Sequence, residues 1–177
     1  MIDYIVFLRG INVNGQNLIK MEDLRKILID IGLHEPKTYI QSGNILVKSE
    51  LSEAESVESI IRKAIRERLG FDVPTLALPQ DTLRRIIDNN PFTHEETDKK
   101  RLYYTLLAEP PDRVRAEALM EMDTCGDKIV LGNKVVYLLV RDKYSKTKLT
   151  NQYIEKILKV KATTRNHATM VKMTETI

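Results

Sequence analysis

The fold of this chain is decided by a stretch in its first half, which reads Lys37-Thr38-Tyr39-Ile40-Gln41-Ser42-Gly43-Asn44-Ile45-Leu46-Val47-Lys48. Residues 37–41 and 44–48 are rich in strand-forming side chains. Between them, Ser42-Gly43 is typical of a two-residue hairpin turn. The stretch therefore predicts two antiparallel strands joined by a tight turn.

The segments on either side of this hairpin complete a βαββαβ order. An apolar, strand-forming run spans residues 3–9, and apolar residues at helical spacing follow it until Gly32. After the hairpin, an amphipathic helix is predicted to end near Gly70, and a fourth strand covers residues 72–78. A hairpin in the middle of this order is typical of the ferredoxin-like arrangement. We therefore predict an α+β protein with a ferredoxin-like N-terminal unit over residues 1–78.

The second half of the chain repeats much of this order. A short helix and a polar linker are predicted over residues 79–100. A strand, a helix, two strands joined by Gly132-Asn133, and another helix follow. The segment Thr163-Thr164-Arg165-Asn166 is interpreted as the start of a last helix, so this half has no fourth strand. We therefore predict a second, related βαββα unit with C-terminal helices over residues 101–177, which suggests an internal duplication.

Composition limits the class of protein. The chain has 177 residues, of which 42% are hydrophobic and 30% charged, so a globular rather than a disordered protein is expected. No apolar run approaches the roughly 20 residues that span a bilayer, and the first residues lack a signal-peptide pattern. The single cysteine, Cys125, cannot form an internal disulfide. These features predict a cytoplasmic protein with no membrane partner.

Positive charge is concentrated in the C-terminal part. The whole chain has a net charge of +3, whereas residues 141–172 contain nine lysines and arginines and two acids, a net charge of +7. Such an asymmetry predicts an anionic partner for this segment. A solvated basic surface is the alternative explanation.

Two polar connections are expected to meet at one end of the N-terminal sheet. Strands 1 and 3 are neighbours in the ferredoxin-like order, so the loop Gly10–Lys20 and the turn Gln41–Asn44, here called the loop pair, should lie close together. The N-terminus of the first helix would point the same way, and its backbone N–H groups suit an anion. The candidate ligand-binding residues at this end are Arg9, Asn12, Asn14, Gln41, Ser42 and Asn44. Turn formation alone is the alternative explanation for the Asn and Gly residues.

The basic segment supplies a second set of candidates. Lys146 and Lys148 precede a helix for which Thr150 is the expected cap. Arg165 and Asn166 belong to the predicted start of the last helix, with Arg165 in its first turn. A cation there opposes the helix dipole, so either a bound phosphate or an acidic side chain would have to offset its cost. The sequence leaves open whether these residues share a site with the loop pair.

The sequence lacks the motifs of P-loop nucleotide-binding proteins, zinc sites and zinc proteases. The spacing of Gly10 and Gly15 fits a P-loop, but Gln16-Asn17 stands where Lys and Ser/Thr are required. The three histidines and the cysteine are too dispersed for a zinc site, and His94-Glu95-Glu96 lacks the second histidine of a zinc protease. We therefore predict no metal and no cofactor, and we assign no catalytic residue.

Four motifs together resemble one family. They are Phe7-Leu8-Arg9-Gly10-Ile11-Asn12-Val13, Thr38-Tyr39-Ile40-Gln41-Ser42-Gly43-Asn44, Ser145-Lys146 with Lys148-Leu149-Thr150, and Ala162-Thr163-Thr164-Arg165-Asn166. In combination, and over nearly the whole chain, they resemble the bacterial family called domain of unknown function 1697. The resemblance implies a two-part α+β fold with ferredoxin-like elements and no established activity. Two departures are visible: the family usually carries a second glycine near Asn14 and Trp in place of His167.

Three functions are compatible with these features. The leading hypothesis is binding of an anionic, phosphorylated ligand, such as a nucleotide or nucleic acid, at the loop pair. With 6% aromatic residues and no Trp, the chain has no evident stacking platform for nucleic acid. The second hypothesis is hydrolysis of a phosphate ester or acyl phosphate, in which Arg9 would bind the anion and Asn12 or Asn44 would orient water. The third is a protein-interaction domain that docks through its basic segment.

Overall fold

The chain forms an α+β fold, as predicted. A computed structural model describes residues 1–94 and 98–175. Within these residues there are eight β-strands and six α-helices, and the strands form two four-stranded antiparallel sheets. The chain divides into two compact units, Met1–Arg85 with Met173–Ile177, and Ile86–Lys172. Glu95, Glu96 and Thr97 of the predicted linker lie outside the described residues.

The first half of the chain follows the βαββαβ order and ends in a further helix. Its elements are β1 (Ile2–Leu8), α1 (Met21–Asp30), β2 (His34–Tyr39), β3 (Asn44–Ser49), α2 (Ala54–Leu69), β4 (Thr75–Pro79) and α3 (Gln80–Asp88). The sheet has the order β2-β3-β1-β4, so β1 is central and lies beside β3, as predicted. Asn44, the first residue of β3, pairs with Phe7 near the end of β1.

Alternate residues of the central strands form the core of the first unit. One face of β1 and β3 packs with the apolar faces of α1 and α2 in a single cluster of buried side chains. Its members include Tyr4, Val6, Leu8, Leu24, Leu28, Ile45, Val47, Val57, Ile61 and Ile65. Burial of each such aliphatic side chain contributes roughly 1.5–3 kcal/mol. This packing fixes the end of the sheet at which β1 stops and β3 begins.

The second half of the chain contains the remaining elements. They are a 3₁₀ turn (Lys99–Arg101), β5 (Leu102–Leu107), α4 (Arg113–Met120), β6 (Lys128–Leu131), β7 (Val135–Leu139), a second 3₁₀ turn (Tyr144–Lys146), α5 (Asn151–Leu158), β8 (Ala162–Asn166) and α6 (His167–Glu175). The sheet has the order β6-β7-β5-β8. The hydroxyl of Thr150 accepts the N–H of Tyr153 at 3.2 Å, which confirms the predicted cap of α5.

The predicted helix start at Thr163-Thr164-Arg165-Asn166 is wrong, because these residues belong to the edge strand β8. Thr164 pairs with Thr105 and Arg165 with Tyr104 of β5. The two β-branched threonines favour a strand, and the hydroxyls of Thr105 and Thr164 lie 2.8 Å apart in a hydrogen bond. The second half therefore contains a βαββαβ order, rather than the predicted βαββα, before α6 begins at His167.

The connection between β2 and β3 is longer than the predicted two-residue turn. Tyr39 pairs with Asn44, so residues 40–43 make the connection. Ile40 and Gly43 have left-handed backbone conformations, with φ of 50° and 78°. A Cβ atom added at Gly43 would lie 2.6 Å from Leu8 Cβ, so only glycine fits at this position.

In both sheets, a glutamate of the neighbouring helix accepts a backbone N–H of an edge strand. Glu58 of α2 accepts the N–H of Ala77 in β4 at 2.8 Å. Glu155 of α5 accepts the N–H of Ala162 in β8 at 2.8 Å. Each glutamate occupies a backbone group that another strand could otherwise use.

The helices of the described residues are too short or too polar to cross a lipid bilayer.

Candidate functional site

The loop pair is held together by the side chain of Asn12. Its Nδ2 donates to Ile19 O at 3.0 Å and to Gln41 O at 2.9 Å, and its Oδ1 accepts the N–H of Ile19 at 2.8 Å. The Gly10–Lys20 loop and the connection at Gln41 are therefore neighbours at one end of the first sheet. Both donors of the Asn12 amide are used by the backbone, so this side chain shapes the loop.

Other asparagines of this end also bind the backbone. Asn17 Nδ2 donates to Gly10 O at 2.9 Å. The buried Asn44 donates to Tyr39 O at 3.1 Å and to the Ser42 hydroxyl at 2.9 Å. Asn12, Asn14 and Asn17 all have φ near +50°, a conformation that Asn tolerates better than most residues. Turn formation thus accounts for much of the asparagine content of the loop pair.

The remaining candidates at the loop pair are more accessible. Asn14, Gln41 and Ser42 are exposed, and Arg9 is half-buried, with its backbone N–H donated to Pro74 O at 2.9 Å. The nearby N-terminus of α1 carries Glu22 and Asp23 in its first turn. These two carboxylates already complement the helix dipole, so they weaken the attraction of that end for an anion.

A cavity of about 380 Å³ lies in the second unit and contains both predicted lysines of the basic segment. The loop after α4 forms one wall, and residues 141–148, which connect β7 to α5, form the other. Its polar lining comprises Thr124, Cys125, Asp127, Arg141, Asp142, Lys143, Lys146, Thr147 and Lys148. We call this site the basic cavity. Arg141 and Lys143 were not selected from the sequence.

Asp127 joins the two walls of the basic cavity. Its Oδ1 accepts the N–H of Arg141 at 2.7 Å, and its Oδ2 accepts the hydroxyl of Thr147. Gly126 brings the loop close to the other wall, because a Cβ atom added there would lie 3.0 Å from Arg141 Cδ. The carboxylate of Asp127 therefore holds the cavity together through hydrogen bonds to neutral donors.

Two of the four cations in the basic cavity have acidic or thiol partners. Lys146 forms an ion pair with Asp142, and this hydrogen bond lowers the pKa of the Asp142 carboxyl. The pKa of Lys148 is raised by a hydrogen bond to Cys125 and, to a smaller extent, by the charge of Asp123. Both lysines are exposed, so each pair contributes little to stability.

The other two cations are not neutralised in this way. Within residues 1–94 and 98–175, neither the Arg141 guanidinium nor the Lys143 ammonium forms an ion pair. Both side chains line the cavity. A multiply charged anion could therefore contact these two cations without breaking an ion pair. The carboxylates of Asp127 and Asp142 also line the cavity, and the charge of Lys143 contributes to the lowered pKa of Asp142.

Arg165 and Asn166, the last two predicted ligands, lie in β8 and do not line the basic cavity. Arg165 is half-buried and donates to Thr163 Oγ1 at 2.8 Å, and burial lowers the pKa of its guanidinium to about 10. Asn166 Oδ1 accepts the N–H of Thr169 at 2.8 Å at the start of α6. The side chain of Asn166 therefore caps this helix.

His167 stands at a position where the family it resembles usually carries tryptophan, and its ring is hydrogen-bonded to a buried tyrosine. The Tyr104 hydroxyl and His167 Nδ1 lie 2.8 Å apart in a hydrogen bond. Burial raises the pKa of Tyr104 to about 12. Burial, and then the charge of Lys99, lowers the pKa of His167. The pair is therefore neutral near pH 7.

A larger cavity of about 460 Å³ in the first unit has a mixed lining. Glu55, Glu58, Arg62, Lys63 and Arg66 contribute both signs of charge. Arg62 is held by Asp72, with its Nη2 and Asp72 Oδ2 2.5 Å apart, and Glu58 is used by the edge strand. The larger volume of this cavity does not by itself make it a better candidate ligand site than the basic cavity. No group of three His, Cys, Asp or Glu residues in the described parts of the chain is arranged to hold a metal ion.

Comparisons with known proteins indicate a family but no activity. The family model described as "Protein of unknown function (DUF1697)" matches residues 1–137. Among solved structures, a conserved bacterial protein from Streptococcus pneumoniae is similar with a TM-score of 0.77 and 24% identity, over 98% of this chain and 97% of that chain. At this identity the similarity shows the fold. No curated protein matches the chain.

Proposed function

The chain belongs to DUF1697, a family of proteins of unknown function, and from the geometry of the basic cavity we propose that it binds a phosphorylated small molecule there. One observation carries this proposal. Arg141 and Lys143 line a cavity of about 380 Å³ that is partly open to solvent, and neither forms an ion pair within the described residues.

The size and donor set of the basic cavity suit a small phosphorylated ligand. Ligand pockets commonly enclose about 300–1,000 Å³. The guanidinium of Arg141 offers a planar fork of N–H donors that matches two phosphate oxygens, whereas Lys143 acts as a mobile point charge. A nucleic acid strand would need a longer groove with aromatic side chains for stacking. These features favour a nucleotide or a smaller phosphate compound.

The loop pair is the less favourable place for this ligand. Asn12 and Asn44 use their amide donors within the protein, and the first turn of α1 is acidic. The hydrolase hypothesis assigns the orientation of water to these same two asparagines. We therefore propose binding rather than hydrolysis, with Lys146 and Lys148 retained from the predicted ligands. Anion contacts from Arg9, Asn14, Gln41 and Ser42 stay a prediction.

We also propose that the two units arose as a duplication of one ferredoxin-like βαββαβ arrangement. Both sheets have the same strand order, and the central strand continues in the same way beyond its last residue. The N–H of Leu8 donates to Gly43 O at 2.7 Å, and the N–H of Leu107 donates to Lys134 O at 2.9 Å. We propose a cytoplasmic location, because the single cysteine suits a reducing compartment.

Isothermal titration calorimetry with inorganic phosphate, pyrophosphate and ATP tests the binding proposal. We expect saturable binding of at least one of them at low ionic strength, with an affinity that falls as salt is added. Arg141→Ala and Lys143→Ala should each weaken binding about tenfold or more, since a hydrogen bond to a charged group is worth roughly 1.5–3 kcal/mol. Lys156→Ala, an exposed lysine of α5, is the matched control and should leave binding unchanged.

The absence of binding to all three compounds at low salt would contradict the proposal. Unchanged affinity in the Arg141→Ala/Lys143→Ala double variant would place the ligand elsewhere. Circular dichroism of each variant verifies that the fold is intact.

A further inference from the structure

The strand β6, at one edge of the second sheet, has backbone groups that are open to a further strand. It pairs with β7 alone, because the sheet has the order β6-β7-β5-β8. The N–H of Gly132, the residue after β6, donates to Val135 O at 2.7 Å. In an antiparallel pair such bonds recur at every second residue, so Val130 also bonds to β7. Ile129 and Leu131 therefore direct their backbone groups away from β7, and in the described chain their N–H groups have no acceptor.

In the part of the chain that the structure describes, the other edge strands all carry features that oppose pairing. In β2, which holds the place of β6 in the first sheet, Pro36 lacks an N–H group and Glu35 has a left-handed φ of 49°. The register of β2 also shifts between His34 and Lys37. In β4 and β8, glutamates of the neighbouring helices already accept backbone N–H groups. Such features prevent the pairing of sheet edges, so β6 is the edge that is most open to another strand.

The side chains of β6 suit a strand that pairs on both sides. Ile129, Val130 and Leu131 are consecutive aliphatic residues, of which two are β-branched. Ile129 and Leu131 pack against the core of the second unit, whereas Val130 points to the other face and is 36% exposed. Lys128, the only charged residue of β6, stands at its first position. An edge of this kind can bind another strand through main-chain hydrogen bonds.

We propose that β6 pairs antiparallel with β6 of a second copy of the chain, so that the two sheets join edge to edge. With the pair centred on Val130, Ile129 of each copy lies opposite Leu131 of the other. Both residues have outward backbone groups, so each gains an N–H and a C=O hydrogen bond. Lys128 then lies opposite Gly132 and meets no like charge. This dimer is separate from the proposed ligand function, which rests on the basic cavity.

The neighbouring registers are less favourable. Centring the pair on Leu131 would place Lys128 opposite Lys134 of the second copy, and like charges directly opposite are destabilising. Centring it on Ile129 would require the N–H of Asp127, which is already donated within the loop before β6. The match of β6 with itself thus favours a second copy over a strand of a different protein. Because the paired stretch is short, we expect a weak dimer that dissociates on dilution.

Val130→Lys and Val130→Glu test both the pairing and its register, because each places two like charges opposite each other at the two-fold axis. Sedimentation equilibrium of the full chain, from about 5 to about 500 µM, should show a dimer for the wild type. Each variant alone should raise the dissociation constant about fivefold or more. An equimolar mixture of the two variants should restore the dimer, since Lys then faces Glu.

Ile29→Lys and Ile29→Glu are the matched controls. Ile29 is another aliphatic residue, 58% exposed on α1, and lies outside β6. These variants, alone or mixed, should leave the dissociation constant unchanged. Melting curves followed by circular dichroism verify that the Val130 variants are folded.

Amide hydrogen exchange of the wild-type protein, measured by NMR, gives a second readout that needs no substitution. Exchange at Ile129 and Leu131 should slow as the protein concentration rises, because their N–H groups become bonded only in the dimer. Exchange at Val130 should change less, since its N–H is already bonded to β7 within one copy.

Three results would overturn the proposal. A chain that stays monomeric up to about 500 µM would leave this edge to a strand of a different protein. A dimer that is unchanged in both Val130 variants, or that does not protect the amides of Ile129 and Leu131, would place the interface elsewhere. A dimer that both variants weaken but their mixture does not restore would reject the pairing centred on Val130.

Discussion

In the first unit, the connection that follows the central strand β1 is rich in asparagine and glycine. In the second unit, the connection that follows the corresponding strand, β5, contains two prolines instead. Leu8 and Leu107 hold corresponding positions, since each donates its N–H to the connection before the neighbouring strand. Arg9-Gly10-Ile11-Asn12 follows Leu8, and Ala108-Glu109-Pro110-Pro111 follows Leu107. The shared hydrogen bonds therefore build the fold, and the features that differ are the better candidates for function.

The unshared features lie at different places in the two units. The first unit carries a long loop that the side chain of Asn12 joins to the β2–β3 connection, and the second carries the basic cavity between residues 124–127 and 141–148. The strand arrangement occurs in both units, so its contribution to stability can be tested by equivalent substitutions in each unit. A feature that occurs in one unit only needs a separate control substitution.

Gly43→Ala should have the largest effect on stability, because the backbone approaches β1 closely at Gly43, whereas the corresponding residue of the second unit is Lys134 rather than glycine. The new Cβ would meet Leu8 Cβ at 2.6 Å and would stand at φ +78°. We expect a loss of roughly 3 kcal/mol in the free energy of unfolding, measured by urea titration. Lys134→Ala, at the corresponding place in the second unit, should cost less than about 0.5 kcal/mol.

Gly10→Ala is the internal control for that experiment. Gly10 has φ +71° but no atom within 4 Å of an added Cβ, so only the backbone conformation is penalised, by about 1 kcal/mol. Equal losses in Gly43→Ala and Gly10→Ala would show that the close approach to Leu8 is unimportant.

Asn12→Gly should cost roughly 2 kcal/mol, because it removes three hydrogen bonds to the backbone and keeps the left-handed conformation accessible. Asn14→Gly is the matched control, since Asn14 is exposed and has a similar φ of 51°. Urea titration of both variants gives the comparison. If the two variants were equally stable, the loop would not depend on the Asn12 side chain.

Glu58→Ala and Glu155→Ala should have similar effects on stability, because the two carboxylates accept corresponding edge-strand N–H groups at 2.8 Å. We expect each to cost about 1–2 kcal/mol in urea titrations. A difference between them of more than about twofold would count against the proposed duplication.

His167→Asn should reduce the pH dependence of stability. Because the pKa of His167 is lowered in the folded protein, the unfolded chain binds more protons as the pH falls below about 6.5, and stability is lost there. The variant keeps a hydrogen-bond acceptor for Tyr104 but does not titrate. Melting temperatures between pH 8 and pH 5 should fall less steeply in the variant; parallel curves would contradict the assignment.

Most of the fold could be predicted from the sequence, because the spacing of apolar residues indicates individual helices and strands. The order of β1 to β4 and the helices between them followed from such patterns. β8 was missed because Thr163-Thr164-Arg165-Asn166 has no apolar alternation, and its strand character depends on pairing with β5, almost 60 residues earlier.

The candidate sites were harder to predict from the sequence, and the physical reason is different for the basic cavity and for the loop pair. Charge alone identified Lys146 and Lys148, but Arg141 and Lys143 became candidates only because Asp127 bridges two loops 14 to 20 residues apart. The proximity of the loop pair was predicted from topology. The three hydrogen bonds of Asn12 could not be predicted, because they depend on the path of the loop.

Backbone amide NMR of the ¹⁵N-labelled protein, titrated with inorganic pyrophosphate at low ionic strength, tests the central proposal most directly. We expect saturable shifts concentrated in residues 124–127 and 141–148, the two walls of the basic cavity. Saturable shifts confined to residues 10–20 and 41–44, or no saturable shift, would contradict the assignment of the ligand to that cavity.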